Sequence, residues 1–352
     1  MNEKLKELLL LTAQRNASDL HLIAGRFPTI RLDGELISLI DQPILTNKDI
    51  EEMVSSLLND YQKRILAKYL DVDFSFSVEE KARFRANVYY QKETLAAAFR
   101  YIPSQIKTID ELNLPPSVHK FAEFRQGLIL AVGPAGMGKS TTLAAIIDEI
   151  NHKRAVNIIT IEEPIEYVFV SDKAIISQRE VGRDTVSWKR ALKAALREDP
   201  DIIMIGEMRD PETIAIALTA AETGHLVIST LHTNSAAETI DRIIDVFPSA
   251  QQNQIRLQLA MTLQGIISQR LIPRIQGGRI PACEIMFVNP AIRNLIRDQK
   301  TYQIDLVIET SLLEGMITLN RSLAILVRAN EITQERAFEF SPNPEELKNL
   351  LK

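Results

Sequence analysis

The spacing of hydrophobic residues changes at about residue 103 of this chain. Before that point apolar and polar residues mostly alternate, as they do in strands with one buried face. The predicted strands are 18–23, 29–32, 35–39, 71–78, 82–88 and 94–102, and the predicted helices are 3–15 and 47–58. A turn at Asp33-Gly34 joins two of these strands as a hairpin. The pattern therefore predicts a small α+β domain with an antiparallel sheet at residues 1–102.

Residues 103–118 mix Pro, Ser and Thr with little periodicity, which predicts a linker. From 119 to 352 continuous apolar runs alternate with helical patterns, as in a parallel sheet covered by helices. The strand candidates are 127–133, 156–161, 201–206 and 226–231, and the helix candidates between them are 140–151, 185–197, 211–223 and 235–246. The region from about 254 to 352 is predicted to be mostly helical, with helices at 254–271, 290–298, 318–329, 333–340 and 344–351 and one strand at 280–288.

The composition is that of a globular protein and argues against several classes. At 352 residues, 45% hydrophobic and 25% charged, the chain is long enough for two domains with real cores. A net charge of −5 gives no global attraction to nucleic acid or anionic lipid. The single Cys283 rules out an intrachain disulfide and a four-cysteine zinc module. With no apolar run long enough to span a bilayer and no signal peptide, we expect a cytoplasmic protein.

A phosphate-binding loop is the strongest chemical signal in the chain. From Gly133 the spacing is G-x-x-x-x-G-K-S, after a buried strand and before a helix. A glycine-rich turn that binds nothing is the alternative, but the flanking strand and helix favour a P-loop. Its backbone N–H groups and helix N-terminus would bind phosphates, Lys139 would reach the β- and γ-phosphates, and Ser140 would ligate Mg²⁺. The predicted nucleotide-binding residues of this segment are Gly133, Pro134, Ala135, Gly136, Met137, Gly138, Lys139, Ser140, Thr141 and Thr142.

Polar residues follow the other buried strands, at the edge where ligands bind in α/β sheets. Glu207 is the first candidate for holding the Mg²⁺ water shell or orienting the attacking water, and Glu162 is the second. Either carboxylate could instead cap a helix or pair with an arginine. His232 could contact the γ-phosphate or be a structural histidine, and His225 is a weaker candidate on composition alone.

Three arginines lie on or beside the outward face of the first predicted sheet. They are Arg83, Arg85 and Arg100, and the core of that sheet does not explain them. One reading is a solvated face, and the other is a set of arginines that reach nucleotide phosphate across a subunit boundary. The residues alone leave these two readings open.

Taken together, these motifs resemble the PilT-type retraction ATPases of type IV pili, within the type II and type IV secretion ATPase superfamily. The resemblance covers nearly the whole chain. It is carried by the segments 17–22, 83–87, 100–103, the P-loop, 160–166, 178–182, 206–210 and 223–236. The segment Ala-Ile-Arg-Asn-Leu-Ile-Arg at 291–297 is the most diagnostic for the retraction branch. Departures include Glu163 where the family usually has Asp, and Ala135 and Met137 in the P-loop.

The resemblance implies a fold and a set of roles. The fold class is α/β, a RecA-like P-loop NTPase core with an N-terminal PAS-like α+β domain and C-terminal helices. The implied protein is a homohexamer that hydrolyses ATP with Mg²⁺ and drives pilin disassembly, at the cytoplasmic face of the inner membrane, docked on the pilus platform protein. Glu207 and Glu162 would serve hydrolysis, His225 and His232 would lie near the nucleotide, and the three arginines would act on phosphate.

Other functions are open on the sequence. The first is another role within the superfamily, such as pilus extension. A nucleic-acid motor is a second, but the acidic balance and the lack of a basic-aromatic stripe argue against it, so no nucleic-acid partner is expected. A third is an accessory ring that binds nucleotide with little or no hydrolysis. Lys139, Glu162 and Glu207 are intact and speak against that reading.

Overall fold

The computed structural model describes residues 1–32, 34–79, 82–102 and 105–352. The chain divides into two compact units. The first comprises Met1–Gln105 with Glu166–Val168, and the second comprises Ile106–Ile165 with Phe169–Lys352. Asp33 of the predicted hairpin turn and residues 103 and 104 of the predicted linker lie outside the described residues.

The first unit is built on an antiparallel sheet, which confirms the predicted α+β pattern. Its described elements, in chain order, are α1 (Glu3–Gln14), β1 (Asp19–Ile23), β2 (Thr29–Leu32), β3 (Glu35–Ser38), α2 (Asn47–Ser55), α3 (Asp60–Tyr69), β4 (Asp71–Val78), β5 (Ala82–Gln91) and β6 (Thr94–Ile102). The strands lie in the order β3-β2-β1-β6-β5-β4. Helix α3 is an addition to the predicted set. Its start is fixed by Asn59, whose side chain and that of Gln62 each accept a backbone N–H of the other residue.

One face of this sheet forms the core of the first unit. Leu20, Phe84 and Phe99 lie on neighbouring strands and are fully buried against α1 and α2. The alternation of β5 follows from this arrangement, since every second residue from Ala82 to Val88 is buried. The intervening positions, which include Arg83 and Arg85, therefore point to the opposite face.

The second unit contains a mainly parallel sheet with buried strands. Among the described residues its strands are β7 (Gly127–Val132), β8 (Asn157–Glu162), β9 (Ile175–Glu180), β10 (Ile202–Ile205), β11 (Leu226–Leu231), β12 (Leu263–Pro273) and β13 (Arg279–Phe287). They lie in the order β13-β12-β7-β11-β10-β8-β9, and β13 alone among these strands pairs antiparallel to its neighbour. Every residue of β7, β10 and β11 is buried, because helices cover both faces.

The helices of the second unit are α4 (Lys139–Lys153), α5 (Trp188–Ala195), α6 (Pro211–Glu222), α7 (Ala236–Asp245), α8 (Ser249–Thr262), α9 (Pro290–Arg297), α10 (Ile304–Thr310), α11 (Leu319–Arg328), α12 (Gln334–Phe340) and α13 (Pro344–Leu351). Most of them begin within a few residues of their predicted starts, whereas α8 begins five residues early and α10 is an addition to the predicted set. A 3₁₀ segment, Pro116–Glu123, precedes β7. No helix within the described ranges is long and apolar enough to cross a membrane.

The prediction of a helix at 254–271 is wrong for its second half. Helix α8 ends at Thr262, and Leu263–Pro273 is the long strand β12, which pairs with β7 on one side and β13 on the other. Most of its residues are buried, so no alternation of apolar and polar residues marked it as a strand. Strand β9 was also absent from the predicted set. The predicted strand at 280–288 is confirmed by β13, which carries the fully buried Cys283.

Candidate active site

The P-loop connects the carboxyl end of β7 to the first turn of α4. Gly133, Gly136 and Gly138 all have positive φ, at 144°, 76° and 80°. The conformation at Gly136 and Gly138 is one that other residues adopt only with strain. At Gly133 a Cβ atom would also lie 2.5 Å from the carbonyl oxygen of Gln269. Backbone conformation thus favours glycine at 136 and 138, and a close neighbour favours it at 133.

Lys139, the first residue of α4, has its ammonium group buried at the centre of the site. The residue is only 7% exposed. Its Nζ donates to the carbonyl oxygens of Gly133 (2.8 Å) and Pro134 (3.0 Å) and lies 3.4 Å from Nδ1 of His232. A buried ammonium needs such partners, because an unpaired one would lose its hydration without compensation. The lysine is therefore held under the loop, with its charge directed at the carboxyl edge of the sheet.

His232 links this lysine to Glu207. The histidine follows β11 and Glu207 follows β10, which is the neighbouring strand. Nε2 of His232 lies 3.3 Å from a carboxylate oxygen of Glu207. A neutral imidazole protonated on Nε2 would donate to Glu207 and accept from Lys139 through Nδ1. The sheet order thus brings together three side chains that are separated by many residues in the chain.

Glu207 is kept ionised by its surroundings. Burial by itself raises the pKa of this carboxyl group, but the hydrogen bond from Arg209, the charge of Arg209 and smaller contributions from His232 and Lys139 outweigh it, so the pKa lies below its ordinary value. The Arg209 guanidinium donates to Glu207 at 2.7 Å. Both residues also line a cavity of about 260 Å³ with His232 and Thr233. A carboxylate with a lowered pKa is a weak proton acceptor, and is better suited to orienting water or a hydrated cation.

Glu162 is the last residue of β8, one strand beyond β10. It is 5% exposed and accepts hydrogen bonds from the hydroxyl of Thr160 (2.6 Å) and the amide of Gln178 (3.1 Å). It therefore lies at the same edge of the sheet as Glu207. Gln178 lies on β9, the strand that the pattern missed, so the hydrogen bond from its amide connects β9 to Glu162.

The structure also gives a reason for Gly206, where many P-loop enzymes carry an aspartate. A Cβ atom there would lie 3.3 Å from the indole ring of Trp188 and 3.4 Å from the carbonyl oxygen of Ile161. The indole N–H of Trp188 donates to Glu163 at 2.9 Å, which fixes the ring in that position. The space beside β10 is thus filled by tryptophan, and the acidic function falls to Glu207.

His225 lies at the other end of the sheet from the P-loop of its own chain. It precedes β11, whose first residue pairs with Gly127 at the amino end of β7, whereas the P-loop follows the carboxyl end of β7. The full length of the strand separates the two, about 20 Å at 3.3 Å per residue. Its Nδ1 lies 2.9 Å from the carbonyl oxygen of Ala220. The structure therefore does not bring His225 to the P-loop of its own chain.

The three predicted arginines lie on the sheet of the first unit. Arg85 and Arg100 are directly opposite each other on β5 and β6. Arg100 Nε donates to Asp19 at 3.0 Å, and Arg85 Nε lies 3.8 Å from Asp73. Arg83 donates to the buried hydroxyl of Ser75 at 2.8 Å. The sheet thus presents the three side chains on one face, and they are called the cationic strip below.

Gln269 is a contact of the P-loop that sequence reasoning missed. It lies in the part of β12 that the pattern assigned to a helix. Its side chain bonds to Met137 and Thr142, on either side of Lys139 and Ser140. No motif marked this residue, and only the strand assignment of 263–273 would have placed it beside β7.

Comparison with known proteins fits this arrangement. The family model described as "Type II/IV secretion system protein" matches residues 6–337. The chain belongs to that family. Within it, the chain is 49% identical to the "Type IV pilus retractation ATPase PilT" of Pseudomonas aeruginosa over 96% of this chain and 98% of the relative. It is 47% identical to the "Twitching motility protein" of Neisseria gonorrhoeae, over 92% of this chain and 87% of the relative.

Solved structures in the type II/IV secretion family give the same fold. The crystal structure of the pilus retraction motor PilT with bound ADP matches with a TM-score of 0.90 at 49% identity, covering 98% of each chain. The ATPase DotB of Legionella pneumophila matches with a TM-score of 0.80 at 25% identity, covering 95% of this chain and 94% of DotB. The fold class is therefore that of a P-loop ATPase of this family, with an α/β core and an N-terminal α+β region.

Proposed function

We propose that this protein is an ATP-hydrolysing motor that powers retraction of a type IV pilus. The observation that carries the proposal is the link from Lys139 through His232 to Glu207, at the edge of the sheet where the P-loop opens. Phosphate-binding charge and a water-orienting carboxylate are adjacent there, which is what hydrolysis of a nucleoside triphosphate requires. The choice of pilus retraction rests on the named relatives.

Each residue of the site has a defined task in this proposal. The glycines leave the loop backbone free to approach the phosphates, and Lys139 exchanges its carbonyl partners for phosphate oxygens. Glu207 stays ionised at neutral pH, so it holds and orients water rather than storing a proton. His232 transmits the position of Lys139 to Glu207. Glu162 is a second carboxylate at the same edge, held by Thr160 and Gln178.

Magnesium fits the donors that this chain offers. Within the described residues, no group of three or more His, Cys, Asp or Glu side chains is arranged to hold a metal ion by itself. Mg²⁺ usually keeps several waters and binds through one or two protein oxygens together with substrate phosphates. Ser140 and Glu207 would supply those oxygens, and the bound ion would neutralise charge on the phosphates.

Conversion of hydrolysis into movement is assigned to the arginines of the first unit. Arg83, Arg85 and Arg100 would contact phosphate bound to a neighbouring subunit, and loss of that phosphate on hydrolysis would release the contact. We propose that this occurs in a homohexamer at the cytoplasmic face of the inner membrane, docked on the platform protein of the pilus. Pilus extension is the alternative role within the same family.

The decisive experiment compares Mg²⁺-ATP turnover of the wild-type chain with that of Glu207→Gln. The substitution keeps the shape of the side chain but removes the carboxylate, so we expect a hexamer that binds ATP and has lost turnover by about a hundredfold or more. Size-exclusion chromatography monitors the ring, and a fluorescent ATP analogue monitors binding.

Two results would contradict the proposal. Full turnover in Glu207→Gln would remove this residue from the chemistry. Nucleotide binding without turnover in the wild-type chain would favour an accessory ring.

Restoration of twitching in a strain that lacks its retraction ATPase, with no effect in a strain lacking the extension ATPase, would separate retraction from extension.

A further inference from the structure

Strand β12 contacts the site from both of its faces. Adjacent residues of a strand point to opposite sides of the sheet. Gln269 bonds to the P-loop, whereas its neighbours Ser268 and Arg270 both bond to Asn234, two residues after His232. Three consecutive residues therefore hold the two loops that carry Lys139 and His232.

The side-chain amide of Gln269 makes two hydrogen bonds of 2.7 Å. Its Oε1 accepts from the hydroxyl of Thr142 in the first turn of α4, and its Nε2 donates to the carbonyl oxygen of Met137. Gln269 is 3% exposed, so an amide group that lost its bond would have no water to replace the partner. The amide is thus fixed at both ends.

The bond to Met137 has a consequence for phosphate binding. In a trans peptide the C=O and N–H groups point in opposite directions. When Gln269 binds the C=O of Met137 from the side of β12, the N–H of Gly138 is turned away from β12. A P-loop binds anions through N–H groups that converge on the ligand, and Gly138 is one of them.

Glycine at 138 is required by the same contact. A Cβ atom there would lie 2.9 Å from Nε2 of Gln269, in addition to the strain of a positive φ. Gln269 therefore packs against the loop as closely as its backbone allows. The carbonyl oxygen of Gln269, close to Gly133, does the same at the start of the loop.

We propose that Gln269 is a positioning residue that holds the P-loop in its phosphate-binding conformation before nucleotide arrives. It acts through Met137 and Thr142, not by touching the nucleotide. The inference deepens the proposed ATPase function, on which it rests for its biological meaning. Its test uses ADP binding, which does not require turnover, so the two proposals fail separately.

The test uses the full chain with three substitutions in the contact. Gln269→Met keeps the shape and removes both bonds, Gln269→Glu keeps the acceptor for Thr142 but loses the donor to Met137, and Thr142→Val removes the other bond alone. Gln254→Met, on the exposed side of α8, is the matched control. The readouts are the ADP-induced rise in Tm, the Kd for ADP, and the KM and kcat for ATP.

We expect the Kd for ADP and the KM for ATP to rise roughly tenfold in both Gln269 variants, since one oriented hydrogen bond contributes about that factor. The ADP-induced rise in Tm should shrink accordingly. Thr142→Val should have a smaller effect, and Gln254→Met none. The kcat should fall less than KM rises, because a disordered loop weakens substrate and transition state alike.

A merely structural role gives a different pattern. It would lower the Tm of the nucleotide-free protein in the Gln269 variants while leaving the ADP-induced rise and the Kd at wild-type values, and that result would overturn the proposal. Wild-type KM in Gln269→Met would do the same. If Gln269→Met fails to form a ring, Gln269→Glu and Thr142→Val decide, because each keeps one of the two bonds.

Discussion

Two regions of this molecule present positive charge, and they do so in different ways. Lys139 is 7% exposed and donates to backbone carbonyl groups of its own loop. The side chain of Arg100 is 70% exposed and pairs with a carboxylate, that of Asp19. The carbonyl groups of one loop hold the lysine in position for a ligand. The arginine is paired with a counter-ion, and an incoming phosphate would have to displace that carboxylate.

The sheet of the first unit explains why counter-ions are needed there. Arg85 and Arg100 face each other on neighbouring strands, and like charges in that position destabilise a sheet. Asp73 and Asp19 lie beside them and reduce the repulsion. Arg85 and Arg100 can still bind an anion, since each guanidinium has donors beyond the one that lies nearest its aspartate.

The largest expected effect is that of Lys139→Ala. The ammonium group is the one charge built into the P-loop, so its loss should bring ATP turnover below detection and weaken ATP binding severely. The measurement is phosphate release by the purified protein, with circular dichroism to show that the fold persists. Full activity in this variant would show that the P-loop is not where catalysis occurs.

A smaller effect is expected from Arg100→Met. If the strip acts on phosphate, the loss of one charge-assisted hydrogen bond should lower kcat by about tenfold to a hundredfold. Asp19→Asn is the matched variant, because it frees Arg100 from its counter-ion and should not lower kcat. Equal, near-wild-type rates for both variants would leave the strip as an ordinary solvated face and would break the comparison drawn above.

The smallest effect at neutral pH, and the most specific, is expected from Arg209→Met. The Arg209 hydrogen bond and charge help to keep the pKa of Glu207 below its ordinary value. Without them the pKa rises, so Glu207 takes up its proton at a higher pH as the solution is acidified. The acid limb of the kcat profile should therefore move to higher pH, with a change of roughly severalfold or less at pH 8. An unmoved limb would mean that Glu207 does not control it.

The P-loop could be read from sequence because its chemistry is local. Gly133 to Ser140 are contiguous, and the glycines indicate a backbone with positive φ. Glu207 and His232 could also be predicted, since each directly follows a recognisable buried strand and parallel strands end at one edge. Strand order was then enough to bring them together.

Residues 263–273 show where that reasoning stops. Both faces of β12 are covered and its buried residues include Ser268 and Gln269, so no alternation of apolar and polar residues distinguishes a strand from a helix there. Once the strand was missed, Gln269 had no reason to be near Met137. His225 is a different case: its motif was recognised, and both the predicted strand and β11 begin after it, at the end away from the P-loop of the same chain.

Cys283 offers a practical consequence. It is fully buried in β13, its backbone N–H is bonded to Ser322, and burial raises the pKa of its thiol to about 12. The thiolate, not the thiol, attacks alkylating reagents, so the native protein should stay unlabelled. A fluorophore could then be attached to one introduced surface cysteine with no background. Reaction at Cys283 itself would require β13 to separate from β12. The rate of labelling would therefore measure how often this part of the protein unfolds locally.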